Sequence, residues 1–87
     1  MVDFKEIEEL ITSNLPDAKM QIQDLTGGKD HLGMMVISDQ FEGKMLIEQH
    51  QIVMDILKEK LKGDLHALQL KTMTKAQAIE RFGQLPE

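Results

Sequence analysis

Apolar residues along the chain follow two periods, and the switches between them mark the elements. In residues 3–15, Phe4, Ile7, Leu10, Ile11 and Leu15 recur at three- and four-residue spacing, the stripe of an amphipathic helix. Asp3 is placed to cap its free amides, Glu6 to reach back, and Pro16 to stop it. Residues 18–24 alternate, with Ala18, Met20 and Ile22 on one side and Lys19, Gln21 and Gln23 on the other, a strand with one wet face. Residues 32–38 (LGMMVIS) are nearly all apolar, which predicts a central strand. Helical spacing returns over residues 45–62, where Leu46, Val53, Leu57 and Leu61 form a stripe widened by Ile47, Met54 and Ile56, with Gly63 as the C-terminal cap. Gln49-His50-Gln51 interrupts the apolar pattern and predicts a short turn of helix ahead of the long one. Residues 65–71 (LHALQLK) read as a third strand with His66, Leu68 and Leu70 on one face and Ala67, Gln69 and Lys71 on the other. Thr74 and Gln77 make a capping box for a last helix, with Ile79 and Phe82 as its apolar contacts and Gly83 and Pro86 at its end.

The expected order is α-β-β-α-β-α. Thr26-Gly27-Gly28-Lys29-Asp30 joins the first two strands as a hairpin, and the long helix returns the third strand parallel to a neighbour. The expected fold class is α+β, a small three-stranded mixed sheet with helices. At 87 residues the length suits one domain, spanning 1–87.

Composition narrows the chemistry. The chain has no cysteine, which removes a disulfide framework, a thiol nucleophile and any cluster ligated by its own thiolates. No apolar run reaches the roughly 20 residues of a membrane span, and Met1-Val2-Asp3-Phe4-Lys5-Glu6 lacks the basic-then-apolar order of a signal peptide, so the expected location is cytoplasmic with no membrane partner. The formal net charge is −5, and residues 1–17 carry one Lys against five acids. That field opposes a polyanion. The basic cluster Lys58, Lys60 and Lys62 reads most simply as a solvated helix end. With Lys71 it makes the candidate contact set for nucleic acid.

No Walker, dinucleotide-fingerprint or His-Glu-x-x-His pattern occurs, and Ser13 and Ser38 sit in no nucleophile turn, so the pattern points away from an enzyme. The seven methionines are scattered and read as core filling. The three histidines carry more. His50 lies on the apolar side of the long helix, a packing or capping position. Taken singly, His66 at the third strand reads as a half-buried structural residue, and His31 before the second strand as a loop residue. Two neutral imidazoles suit iron, zinc or copper, but two ligands do not complete a site, so any metal role requires ligands from a second molecule.

Ser38-Asp39-Gln40-Phe41-Glu42-Gly43-Lys44, after an apolar strand, resembles the V-V-S-x-x-F-x-G-K stretch of the BolA family. His66-Ala67-Leu68-Gln69-Leu70-Lys71-Thr72-Met73-Thr74 is similar to its H-A-L-x-L-K-T-x-T segment, whose histidine is the signature residue. Gln49-His50-Gln51-Ile52-Val53 stands where the family has R-H-R-h-V, with h apolar, and Asp30-His31-Leu32-Gly33 matches its S-H-F-x stretch. Order and spacing agree over nearly the whole chain. The resemblance implies a fold similar to a class II KH domain and a monothiol glutaredoxin partner of the Cys-Gly-Phe-Ser type. It further implies a bridged [2Fe-2S] cluster, with thiolates from the glutaredoxin and glutathione and a nitrogen from His66. The family's second ligand comes from the first strand-to-strand loop, where this chain offers His31. A homodimer is left open as the state without cluster. The resemblance thus implies a non-enzymatic adaptor or regulator in iron–sulfur trafficking or iron and redox regulation. The alternative is a KH-like nucleic-acid-binding transcriptional regulator, although the chain has no Gly-x-x-Gly clamp. The sequence departs from the family pattern at Gln49 and Gln51, which replace arginines. Lys75 replaces a proline, and Ala78 stands near the place of the last helix's tryptophan.

Overall fold

The computed structural model describes residues 3–25, 27, 31–62 and 67–84, with the side chain of Ala67 left aside. The elements run α1 (Phe4–Asn14), β1 (Lys19–Asp24), β2 (His31–Ile37), a 3-10 turn (Asp39–Phe41), α2 (Leu46–Lys62), β3 (Ala67–Met73) and α3 (Lys75–Phe82). The sheet order is β1-β2-β3, so the most apolar strand is central. β1 pairs antiparallel with β2, and β3 returns parallel to it, with His31 opposite Ala67, Gly33 opposite Gln69 and Met35 opposite Lys71. The expected α+β fold and three-stranded mixed sheet are therefore those of the molecule.

Period 2 in the strands divides the side chains between two layers. Leu32, Met34 and Val36 point into a core closed by Ile7 and Ile11 of α1, Val53 and Leu57 of α2, and Phe41 of the turn. Burying each such side chain stabilises the fold by about 1.5–3 kcal/mol relative to leaving it exposed. On the other face, Ile37 and Met73 pack under Ala78 of α3, with Met35 partly buried beside them. The capping box is formed: Thr74 Oγ1 accepts from the Gln77 amide and Gln77 Oε1 accepts from the Thr74 amide, while Gly83 closes α3 in the left-handed conformation at φ 83°.

Four local expectations are corrected. Glu6 does not reach back to close a box with Asp3; Asp3 accepts from the Lys5 amide, and Glu6 pairs with Lys60 of α2. α2 is one continuous helix, and the irregular piece before it is the 3-10 turn. Leu46 and Ile47 are 59% and 73% exposed, because the first buried position of α2 is Gln49, one turn further in. Ile79 and Phe82 are about half exposed, whereas Ala78 is fully buried. Gly63 and Pro86, expected as helix stops, and Leu65, expected in the third strand, lie outside the described residues.

Candidate functional site

His31 is the first residue of β2 and is half-buried. Its carbonyl accepts from the Leu25 amide at 2.9 Å, which closes the β1–β2 end of the sheet. Asp24 Oδ1 accepts from the Gly27 amide at 2.9 Å, and Gly27 takes φ 87°, a conformation that suits glycine. His31 shares its face with Gly33 and Met35, away from α1 and α2. His66 lies outside the described residues, but it is bonded to Ala67, which stands opposite His31 in the parallel register. Leu68 and Leu70, the alternate positions after His66, pack against the core of α1 and α2. Among the described residues no group of three or more His, Asp or Glu could hold a metal ion.

The four lysines do not form one patch. Lys58, Lys60 and Lys62 lie on α2, against one face of the sheet, whereas Lys71 stands on the opposite face, beside Met35. Lys60 pairs with Glu6, and Lys62 lies 3.8 Å from Glu59. His50 of α2 is half-buried, with an Nε2 that has no hydrogen-bond partner among the described residues.

Two polar clusters hold the surrounding elements. Gln49 is buried, and its Nε2 donates to the carbonyls of Phe41 (3.3 Å) and Lys44 (3.0 Å). Its Oε1 accepts from Thr72 Oγ1 at 2.8 Å, tying α2 to β3. Asp17 accepts from Ser38 Oγ at 2.7 Å and from the Asp39 amide at 2.8 Å, with Lys75 Nζ 3.8 Å away. Desolvation pushes the Asp17 carboxyl up. The hydrogen bonds from Ser38, Asp39 and its own amide, with the Lys75 charge, outweigh it and hold the group below its ordinary value. Both clusters escaped the periodicity argument, which treats an isolated polar residue as solvent-facing. The available signals were Gln49 inside an apolar stripe and Asp17 beside Pro16.

A family model described as BolA-like protein matches residues 9–77. The chain belongs to the BolA-like family. Protein BOLA2 of Arabidopsis thaliana is 36% identical over 83 residues, covering 94% of this chain and 85% of that protein. SufE-like protein 1, chloroplastic/mitochondrial, of the same plant is 31% identical over 72 residues, 83% of this chain and 19% of that protein. The solved BolA domain of its SufE1 superposes with a TM-score of 0.76 at 29% identity, covering 84% of this chain and 92% of that one. The crystal structure of a relative from Babesia bovis gives a TM-score of 0.80 at 26% identity, covering 93% of this chain and 94% of that one. No described helix of this BolA-like chain is long and apolar enough to cross a membrane.

The structure also accounts for the departures from the family pattern. Gln49 serves as the buried bridge to Thr72. Gln51 is exposed and donates to Asp55 Oδ1 at 2.8 Å, one turn on. Lys75 extends the Asp17 cluster. Ala78 is fully buried against Ile37 and Met73.

Proposed function

We propose that this chain is a non-enzymatic iron–sulfur adaptor that binds a monothiol glutaredoxin of the Cys-Gly-Phe-Ser type and shares a bridged [2Fe-2S] cluster with it. Such an adaptor would serve cluster trafficking or iron and redox regulation. The observation that carries the reading is membership of the BolA-like family together with an intact signature segment from His66 to Thr74. The register sets Ala67, the residue bonded to the proposed ligand His66, opposite His31, the proposed second ligand, so the two segments are neighbours in the sheet. The similarity to a domain of SufE-like protein 1 adds support from a protein of several parts.

The chemistry follows from the donor set. With no cysteine in the chain, the glutaredoxin and glutathione supply every thiolate, and this chain supplies nitrogen. Imidazole in place of thiolate makes a cluster less negative and raises its potential. Only neutral imidazole ligates, so cluster retention falls as pH drops through the range where imidazole protonates.

The nucleic-acid alternative has weaker support, because the candidate lysines lie on two faces of the sheet and two of them have carboxylate neighbours. Co-expression with such a glutaredoxin in the presence of glutathione tests the proposal. The expected result is a one-to-one complex carrying iron and acid-labile sulfide. Failure of the two proteins to associate under cluster-assembly conditions would contradict it.

A further inference from the structure

The sheet has a second face that α3 covers only in part. α3 has 8 residues and so runs about 12 Å, whereas β2 has 7 and runs about 23 Å. α3 shields Ile37 and Met73 and leaves the rest of that face open among the described residues. The remainder forms a groove of about 700 Å³. Its floor is Gly33, flanked in register by Gln23 on β1 and Gln69 on β3. Leu25, Met35 and Phe82 give it apolar walls, and Leu25 and Phe82 are 44% and 51% exposed.

The charged strand side chains of this face are opposite in sign to the net charge of the protein. The net charge is −5, yet the strand positions facing this way include Lys19 and Lys71 and no acid. Lys71 lines the groove, whereas Lys19 stands opposite Ile37 towards the end that α3 covers, and neither has an ion-pair partner among the described residues. The flanking glutamines carry both donors and acceptors, which match the N–H and C=O of an extended backbone. We propose that this groove docks a short extended segment of a partner protein that carries one or two large apolar side chains and at least one carboxylate. The apolar side chains lie between Leu25 and Phe82, and a carboxylate meets Lys71. A nucleic acid fits less well: Phe82 is the one aromatic lining the groove, and the global charge repels a polyphosphate more than a peptide with two carboxylates.

The inference stands apart from the cluster reading, since its test uses neither iron nor a histidine variant. Gly33 is the lever. The three atoms nearest a Cβ built there all belong to the Leu25 side chain, the closest at 3.4 Å, and Gly33 lies within a regular strand. Gly33→Val therefore puts a β-branched side chain on the floor at a strand position that suits one, with circular dichroism as the check that the fold is kept. The probe is a labelled set of five-residue peptides with one or two Leu or Phe and two Asp or Glu, alongside the same set with Lys for each acid. Fluorescence polarisation on the full chain should show micromolar binding of acidic members, weakened about tenfold or more by Gly33→Val and by Lys71→Glu. Lys58→Glu, on the other face, should change it less than about twofold. The proposal is overturned if no acidic peptide binds more tightly than its lysine counterpart, or if Gly33→Val leaves binding unchanged while circular dichroism shows a native fold. Binding seen only when the chain is ended at Gln84 would assign the groove to the chain's own tail. Displacement of the peptides by oligothymidylate would assign it to nucleic acid, and loss of a self-associated form on Gly33→Val to a second copy. Each of these three outcomes overturns it.

Discussion

Gln49 and Asp17 are polar residues on which neighbouring elements converge. Removing the Gln49 side chain takes the partner from the Lys44 carbonyl and the Thr72 hydroxyl and one of two donors from the Phe41 carbonyl, which keeps the Lys44 amide, so Gln49→Ala should destabilise the protein by about 2–3 kcal/mol in urea unfolding. Gln51→Ala, one position past His50 but exposed, should stay within about 0.5 kcal/mol. Adding Thr72→Val to Gln49→Ala should cost less than the sum of the two, because each change removes the other's partner. Asp17 makes a pH prediction. Its carboxyl titrates below the ordinary value, so the folded state favours the ionised form. That contribution is complete above the unfolded carboxyl's range and is lost as pH falls through the lowered folded value. Asp17→Asn should therefore lose about 1 kcal/mol near neutral pH, below the roughly 1.5–3 kcal/mol of bonds to a charged group because the side chain is 27% exposed and Asn keeps one acceptor oxygen. The gap from the unsubstituted protein should narrow as pH drops below about 4. A constant gap across that range would contradict the assignment.

At the scale of elements, α2 separates apolar character from burial. Leu57 is fully buried between α1 and the sheet, and Leu57→Ala should cost about 2–5 kcal/mol. Leu46→Ala and Ile47→Ala should each stay within about 0.5 kcal/mol, despite removing side chains of the same class. Midpoints of chemical unfolding decide between these values. The contrast shows where periodicity is informative. It assigned α1, β1, β2, α2 and the α3 capping box because each has one dominant period and a stop signal. It placed Leu46 and Ile47 in the stripe of α2 because period alone does not say how far along a helix the core extends. The interruption at Gln49-His50-Gln51 was visible, but its cause was not: Gln49 is buried by carbonyls contributed from Phe41 and Lys44.

Across the whole molecule, a sheet of three strands has α1 and α2 on one face and α3 on part of the other. The wet face of β1 was legible as Lys19, Gln21 and Gln23, and that of β3 as Gln69 and Lys71. That these positions adjoin one groove follows only from the register, since β1 and β3 flank β2 without touching in sequence. The same holds for the proposed ligands. His31 and His66 are 35 positions apart by number, and the parallel return of β3 sets Ala67, the neighbour of His66, opposite His31. That His31 stands opposite Ala67 required the topology.

The central claim is that this chain gives a nitrogen ligand to a jointly held cluster, and the visible absorption and circular dichroism spectra of the purified complex test it most directly. The complex of this chain with a monothiol glutaredoxin and glutathione should show cluster bands that differ from those of the glutaredoxin alone. His66→Ala should shift those bands and shorten the lifetime of the cluster while leaving the far-ultraviolet spectrum of the folded chain intact. A His66→Ala complex with the same bands and the same cluster lifetime would contradict the account.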